Sequence, residues 1–210
     1  MRNILSFIMA LAICQFTNAQ FTERSKAFQK FEGFYDFYYD AASDKIFMEI
    51  DDLQKPFLYV YSLSSGIGSN DIGMDRGKLG NEQVVVFKKA GNKLLLIQPN
   101  LKYRALTDNN LEKKSVEQAF AKSVLFGFEI VEEVNGKYII DLSDFLIQDA
   151  FGVADTLVQK KQGTYKLDKT KSAMALERTK AFPKNVEFDV TLTFKGEPKG
   201  NFIRSVTPNP

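Results

Sequence analysis

Two periodicities alternate along the chain. Apolar, β-branched and aromatic residues crowd Lys45–Ile50 and residues 57–61, which predicts strands there. Val84-Val85-Val86-Phe87 and Leu94-Leu95-Leu96-Ile97 bracket the polar stretch 88–93 and read as a hairpin. Residues 128–131 and 138–140 bracket Asn135-Gly136, a pair suited to the positive φ angles of a tight hairpin turn. From Val186 to Phe194 the polarity alternates position by position and predicts one long strand. Helical spacing is rarer. Residues 23–30 suit a short helix, and Ser115-Val116-Glu117-Gln118 has the form of a capping box ahead of Ala119-Phe120. Leu146, Ala150, Val153, Ala154, Leu157 and Val158 recur at helical intervals, with Ser143 as the N-cap. Strand runs outnumber helices, so the fold class is α+β: a predominantly antiparallel β-sheet with two or three helices packed on one side. No repeat, low-complexity tract or linker divides residues 20–210, which read as a single β-rich domain.

The first residues follow a different rule. Arg2 is followed by an apolar run from Ile4 to Cys14 and the small-residue end Thr17-Asn18-Ala19, the order of a secretory signal peptide cleaved after Ala19. The run is too short to span a bilayer of about 30 Å. Leu11-Ala12-Ile13-Cys14 approaches a lipoprotein box, but Ile13 stands where a small residue is needed. The expected location is therefore exported, periplasmic or extracellular, without a lipid anchor.

Charge and composition then narrow the chemistry. The 210 residues carry 28 basic and 26 acidic side chains, a net +2 that lacks the basic excess of a nucleic-acid binder. Cleavage would remove Arg2 and no acidic residue, leaving +1. There is no histidine and one cysteine, Cys14, which lies in the leader. A Ser-His-Asp triad, a Cys-His pair and a histidine-bound zinc are thus excluded in this chain, as are disulfides and a cysteine-switch prodomain. The mature domain must be held by burial alone.

The most unusual segment is the stretch 62–80, Ser-Leu-Ser-Ser-Gly-Ile-Gly-Ser-Asn-Asp-Ile-Gly-Met-Asp-Arg-Gly-Lys-Leu-Gly, with five glycines, two aspartates, an arginine and a lysine. Gly66-Ile67-Gly68 hints at a phosphate nest, but Asp71 occupies the third glycine position and would repel a pyrophosphate. No Gly-Lys-Ser/Thr follows. Asn70, Asp71 and Asp75 offer oxygen ligands without the spacing of an EF-hand loop. The segment admits three readings: a structural loop whose glycines take positive φ, a protein-contact or cleft loop, and an ion site. Gly66, Gly68, Asn70, Asp71, Asp75 and Arg76 are its candidate contact residues.

Elsewhere the candidates are weaker. Glu132-Glu133, Asp51-Asp52 and Asp141 with Asp144 are carboxylate pairs, which would act as general acid and base only across a cleft. Tyr35, Phe37 and Tyr39 suit either a core or a stacking platform for a sugar or peptide. Lys160-Lys161 and Lys169 with Lys171 are short basic patches that suit a solvated surface.

Several segments in order resemble one family. These are Ser64–Gly77 with its Gly-Ile-Gly and Asp-Arg-Gly elements, Leu95-Leu96-Ile97-Gln98-Pro99-Asn100 with Tyr103-Arg104-Ala105, and Ser123-Val124-Leu125-Phe126-Gly127-Phe128. Asp141-Leu142-Ser143-Asp144-Phe145-Leu146 with Asp149, and Glu177-Arg178-Thr179-Lys180-Ala181-Phe182-Pro183, complete the set. Together they are similar to the N-terminal domain of unknown function of exported bacterial zinc-dependent metalloproteases of the met-zincin kind. The resemblance implies a downstream catalytic domain whose His-Glu-x-x-His helix binds zinc and activates water. That domain is the implied partner. This sequence holds neither the motif nor a zinc ligand that could be carried over, and so reads as an N-terminal piece with no cofactor of its own. The expected function is a non-catalytic domain that supports, masks or orients the catalytic one. The alternative is a stand-alone exported β-rich binding module for peptide or glycan built on Tyr35, Phe37 and Tyr39.

Overall fold

The computed structural model describes residues 21–206, so the expected leader and its Cys14 lie outside the described residues. An eight-stranded antiparallel sheet forms the frame. Its strands are β1 (Gln29–Phe31), β2 (Phe37–Asp40), β3 (Lys45–Ile50), β4 (Phe57–Tyr59), β5 (Gln83–Ala90), β6 (Lys93–Gln98), β7 (Ser123–Val134) and β8 (Lys137–Asp141). Their order is β1-β2-β3-β8-β7-β6-β5-β4, two meanders joined where β8 pairs with β3. The β7–β8 turn is the one expected: Asn135 and Gly136 take φ of 53° and 78°, the two left-handed residues that match hairpin twist. The sheet bends so that Tyr35, between β1 and β2, packs its ring 5.5 Å from Phe57 on the opposite edge strand.

Alternation along the strands fills the inner face. Phe37, Ile46, Met48, Ile50, Val85, Phe87, Leu94, Leu96, Phe128 and Ile140 are buried together there, each such side chain worth about 1.5–3 kcal/mol of burial. Phe47 and Ile139 point to the outer face, where Phe21 of α1 (Phe21–Arg24) covers them with Phe28 and Tyr38. Phe47 is thus the one apolar residue on the outer face of β3, between Lys45 and Glu49, and with the inward Ile46 and Met48 it makes the run of three apolar residues.

Residues beyond β8 close the open side. α3 (Ser143–Leu146) and α4 (Val153–Gln159) lead to β9 (Gly163–Leu167), which pairs with β14 (Phe194–Pro198) before α5 (Asn201–Arg204). Between them β10 (Ala173–Met174) pairs with β13 (Val190–Thr191), and β11 (Lys180–Phe182) with β12 (Asn185–Glu187). Phe188 inserts from this cap onto Phe37, with ring centroids 4.9 Å apart. A second apolar cluster joins Ile72 and Met74 to Val153, Leu157, Tyr165 and Ile203.

The architecture is α+β and mostly antiparallel sheet, with short helices. Several expectations change. The single strand expected over 186–194 is three strands with three different partners, because Asp189 is held by side chains and Phe188 turns into the core. Ser115 caps nothing: it lies inside α2 (Asn110–Ala119), whose N-cap is Asn109, the acceptor of the Leu111 N–H at 2.9 Å. Ser143 is the first residue of α3 and not its N-cap. The expected continuous helix breaks where both Asp149 oxygens accept the Val153 and Ala154 N–H groups at 2.7 and 2.9 Å. The helix expected over 23–30 is shorter and gives way to β1 at Gln29. The helices are not gathered on one side, since Phe21 of α1 packs on the outer face and Phe145 of α3 on the inner core. No helix among the described residues is long and apolar enough to cross a membrane.

Candidate functional site

The stretch 62–80 leaves β4 and returns before β5 as a closed excursion. The Leu63 N–H donates to the Lys78 carbonyl at 2.9 Å, Gly77 N–H to Leu63 at 2.7 Å and Gly80 N–H to Tyr61 at 2.7 Å. Within it a 3-10 turn over Asn70–Ile72 ends at Gly73, whose φ of 75° terminates the turn in the left-handed region. Gly68 and Gly77 also take positive φ, 89° and 83°. Gly80 is required by proximity: a Cβ there would stand 2.1 Å from the Tyr61 ring. The tip is anchored rather than free. Ile72 and Met74 are buried in the second apolar cluster, and the Ile67 N–H donates to the Met74 carbonyl at 3.2 Å.

Side chains far away in sequence fasten it further. Lys160 donates its ammonium to the Asp71 carbonyl at 2.9 Å, while within the loop Lys78 donates to the Gly73 carbonyl at 2.8 Å. Ser64 Oγ donates to Asp189 Oδ1 at 3.1 Å, while the second oxygen of Asp189 accepts from Arg178 Nε. That hydrogen bond and the charge of Asp189 raise the Arg178 pKa above its ordinary value. Ser64, Arg178, Asp189 and Lys160 lie in four different segments noted above, and nothing local pairs them. Ser64 and Asp189 meet across 125 residues, and no local pattern signals such a contact.

Five of the six candidate residues come together. Gly66, Gly68, Asn70, Asp75 and Arg76, with Ser69 and Met74, line an open depression of about 440 Å³. Asp71 does not line it. Asn70, Asp71, Asp75 and Arg76 are all exposed, and none of these charged groups forms an ion pair among the described residues. A concavity this open leaves an occupant largely in water, unlike the enclosing pockets that hold small molecules. No three His, Cys, Asp or Glu side chains gather as metal ligands among the described residues. What the loop offers is a fixed set of hydrogen-bonding groups: an arginine fork, a carboxylate, an amide and backbone edges, on a turn held at both ends.

The other candidates are absorbed by the fold. Tyr35 and Phe37 are 7% and 0% exposed and belong to the core, the first of the two readings of this cluster, and Tyr39 donates its hydroxyl to Asp44 at 2.9 Å. Glu132 accepts from the Thr22 N–H and hydroxyl at 3.0 and 2.7 Å, and Glu133 from Lys89. Burial raises the Asp141 pKa, but hydrogen bonds from Lys45 and Ser143 outweigh it and hold the carboxyl below its ordinary value. Asp144 accepts from Lys169 at 2.6 Å. Each of these four carboxylates accepts from a neighbouring donor.

Fold and loop together define an antiparallel-sheet domain that displays a polar turn fastened at both ends. The chain belongs to the family described as Domain of unknown function (DUF5117), whose model matches residues 77–208. No curated protein and no solved structure matches it.

Proposed function

We propose that this chain is a non-catalytic N-terminal domain of an exported zinc-dependent metalloprotease, one that supports, covers or orients the catalytic domain. The zinc belongs to that catalytic domain, and the leader directs export with cleavage after Ala19. The reading draws on the ordered set of resembling segments, of which Ser64–Gly77 is the most distinctive. The observation that carries it is the state of that segment: fastened at both ends and through its buried tip, yet presenting Asn70, Asp75 and Arg76 to solvent without internal ionic partners. Ordering a loop before it meets its partner lowers the entropic cost of docking, which suits a contact surface.

The first test is the intact mass of the native exported protein, detected with an antibody to this domain. A species several times heavier than 23.8 kDa supports a protease precursor. A gene that ends at Pro210 would overturn this reading. The second test is the triple substitution D71N/D75N/R76Q. It should weaken association with the catalytic domain without lowering thermal stability, and unchanged association would remove the loop from the interface.

A further inference from the structure

The loop over 62–80 and the last described element of the chain rest on one another. Ile203, the buried residue of α5, packs with Ile72 and Met74 of the loop tip. Val206 lies against Gly68, so closely that a Cβ at Gly68 would stand 3.0 Å from a Val206 methyl. Gly68 is one of the residues that line the depression, beside Asn70, Asp75 and Arg76. One wall of that depression thus rests on the outgoing chain.

Polar contacts make the same connection through Gln162. This side chain sits between α4 and β9 and is 5% exposed. Its main-chain carbonyl accepts from the Lys199 and Gly200 N–H groups at 2.8 and 3.2 Å, and its side-chain oxygen accepts from the Ile203 N–H at 3.1 Å. Its amide donates to the Lys160 carbonyl at 2.8 Å, and the Lys160 ammonium reaches the Asp71 carbonyl in the loop. Gly200 makes room for this seat: a Cβ there would stand 2.2 Å from the Gln162 side-chain oxygen. A buried amide whose oxygen and nitrogen are both engaged is costly to disconnect. α5 has only four residues and cannot hold a helix in water alone, so its place depends on Gln162 and on the loop tip. Elements with so little buried surface are the first to open in a folded protein.

We propose that Gln162 and α5 form a latch that regulates the loop. With α5 seated, Ile203 and Val206 support the tip and the depression keeps its shape. When the chain past Val206 is drawn aside, α5 leaves Gln162, and Gly68, Ile72 and Met74 lose that side of their packing. The polar turn then loosens, and a partner must order it again on docking. Gln162 is a positioning residue that acts on the loop through Ile203 and Lys160. The inference rests on the reading of this loop as a contact surface and supplies its regulation.

The test is native-state hydrogen exchange of the full chain at low denaturant. The amides of Ile203 and Ser205 at the latch and of Ile67 and Gly73 in the loop should open with one shared free energy, below that of Leu94 and Leu96 in β6. Gln162→Met keeps the length of the side chain and removes its polar ends, and Gly200→Ala unseats α5 by crowding Gln162. Each should speed exchange at all four amides by the same factor, about fivefold or more. Should Q162M not fold, G200A and the wild-type comparison decide alone. Latch amides that speed while Ile67 and Gly73 keep their rates would overturn the proposal, and so would loop amides that open only together with Leu94 and Leu96. Neither variant involves a partner, so this failure removes the latch alone. Unchanged association of D71N/D75N/R76Q would instead remove the contact surface on which the latch acts.

Discussion

At Gly80 one hydrogen atom decides the packing. The Tyr61 ring lies where a Cβ would be and is itself held against Phe151, with centroids 4.8 Å apart, so it has little room to yield. Gly80→Ala should destabilise the protein by about 1–3 kcal/mol in urea denaturation. Loss of the depression around Asp75 should accompany it, visible as perturbed amide shifts of residues 66–76. Two phenols show the same dependence on surroundings. Burial pushes Tyr35 and Tyr59 up to about 12 from an ordinary 10.0, with Asp51 and Asp52 assisting at Tyr35 and Tyr61 at Tyr59. In the unfolded chain these phenols ionise near 10 while in the fold they stay neutral. Their stabilising contribution is therefore complete below pH 10 and is lost as pH rises from 10 to about 12. Ultraviolet titration should show Tyr35 and Tyr59 among the late-ionising phenols, and stability should fall across that window. Ordinary titration of all tyrosines would contradict the packing of both rings.

At the scale of single elements, caps and turns decide what alternation leaves open. α4 begins because Asp149 takes two N–H groups at once, and Asp149→Ala should cost about 0.5–2 kcal/mol, measured by chemical denaturation. Leu111→Ala on the exposed face of α2 should change stability by less than about 0.5 kcal/mol, since Leu111 is 76% exposed. Legibility follows the same division. The Asn135-Gly136 hairpin could be read because the backbone conformation it needs is written in two adjacent residue types. The start of α2 was also present in the sequence as Asn109 followed by Glu112, whose carboxylate accepts from the Asn109 amide at 3.3 Å. The fate of 186–194 was not legible: alternation reports that one face is buried, not which strand lies beside each residue. The break at Asp189 depends on Arg178 and Ser64, neither of which neighbours it in sequence. The candidate loop was legible as a segment, and its residues except Asp71 do meet. Its fastening by Lys160 and Asp189 was not, because both contacts are tertiary.

Across the whole molecule the cap and the sheet share one core. Phe37 is fully buried between Phe31 of β1 at 4.5 Å and Phe188 of the cap at 4.9 Å. Phe37→Ala should cost about 3–5 kcal/mol, and unfolding followed by far- and near-ultraviolet circular dichroism should remain coincident. Separated transitions would mean that sheet and cap melt independently. The pairing of β3 with β8 has a further consequence in time. Each meander is local in sequence, but their junction joins residues such as Lys45 and Asp141, whose ammonium and carboxylate lie 2.7 Å apart across 96 residues. Closing so long a span is entropically expensive and slows folding. During synthesis β1 to β3 leave the ribosome first and must wait, with Phe47 and Met48 on an unpaired edge, until β8 emerges. Pulse-labelled hydrogen exchange should find Leu94 and Leu96 protected before Phe47 and Glu49. In that interval the newborn chain is most exposed to wrong partners, and most in need of a chaperone that holds extended apolar strands.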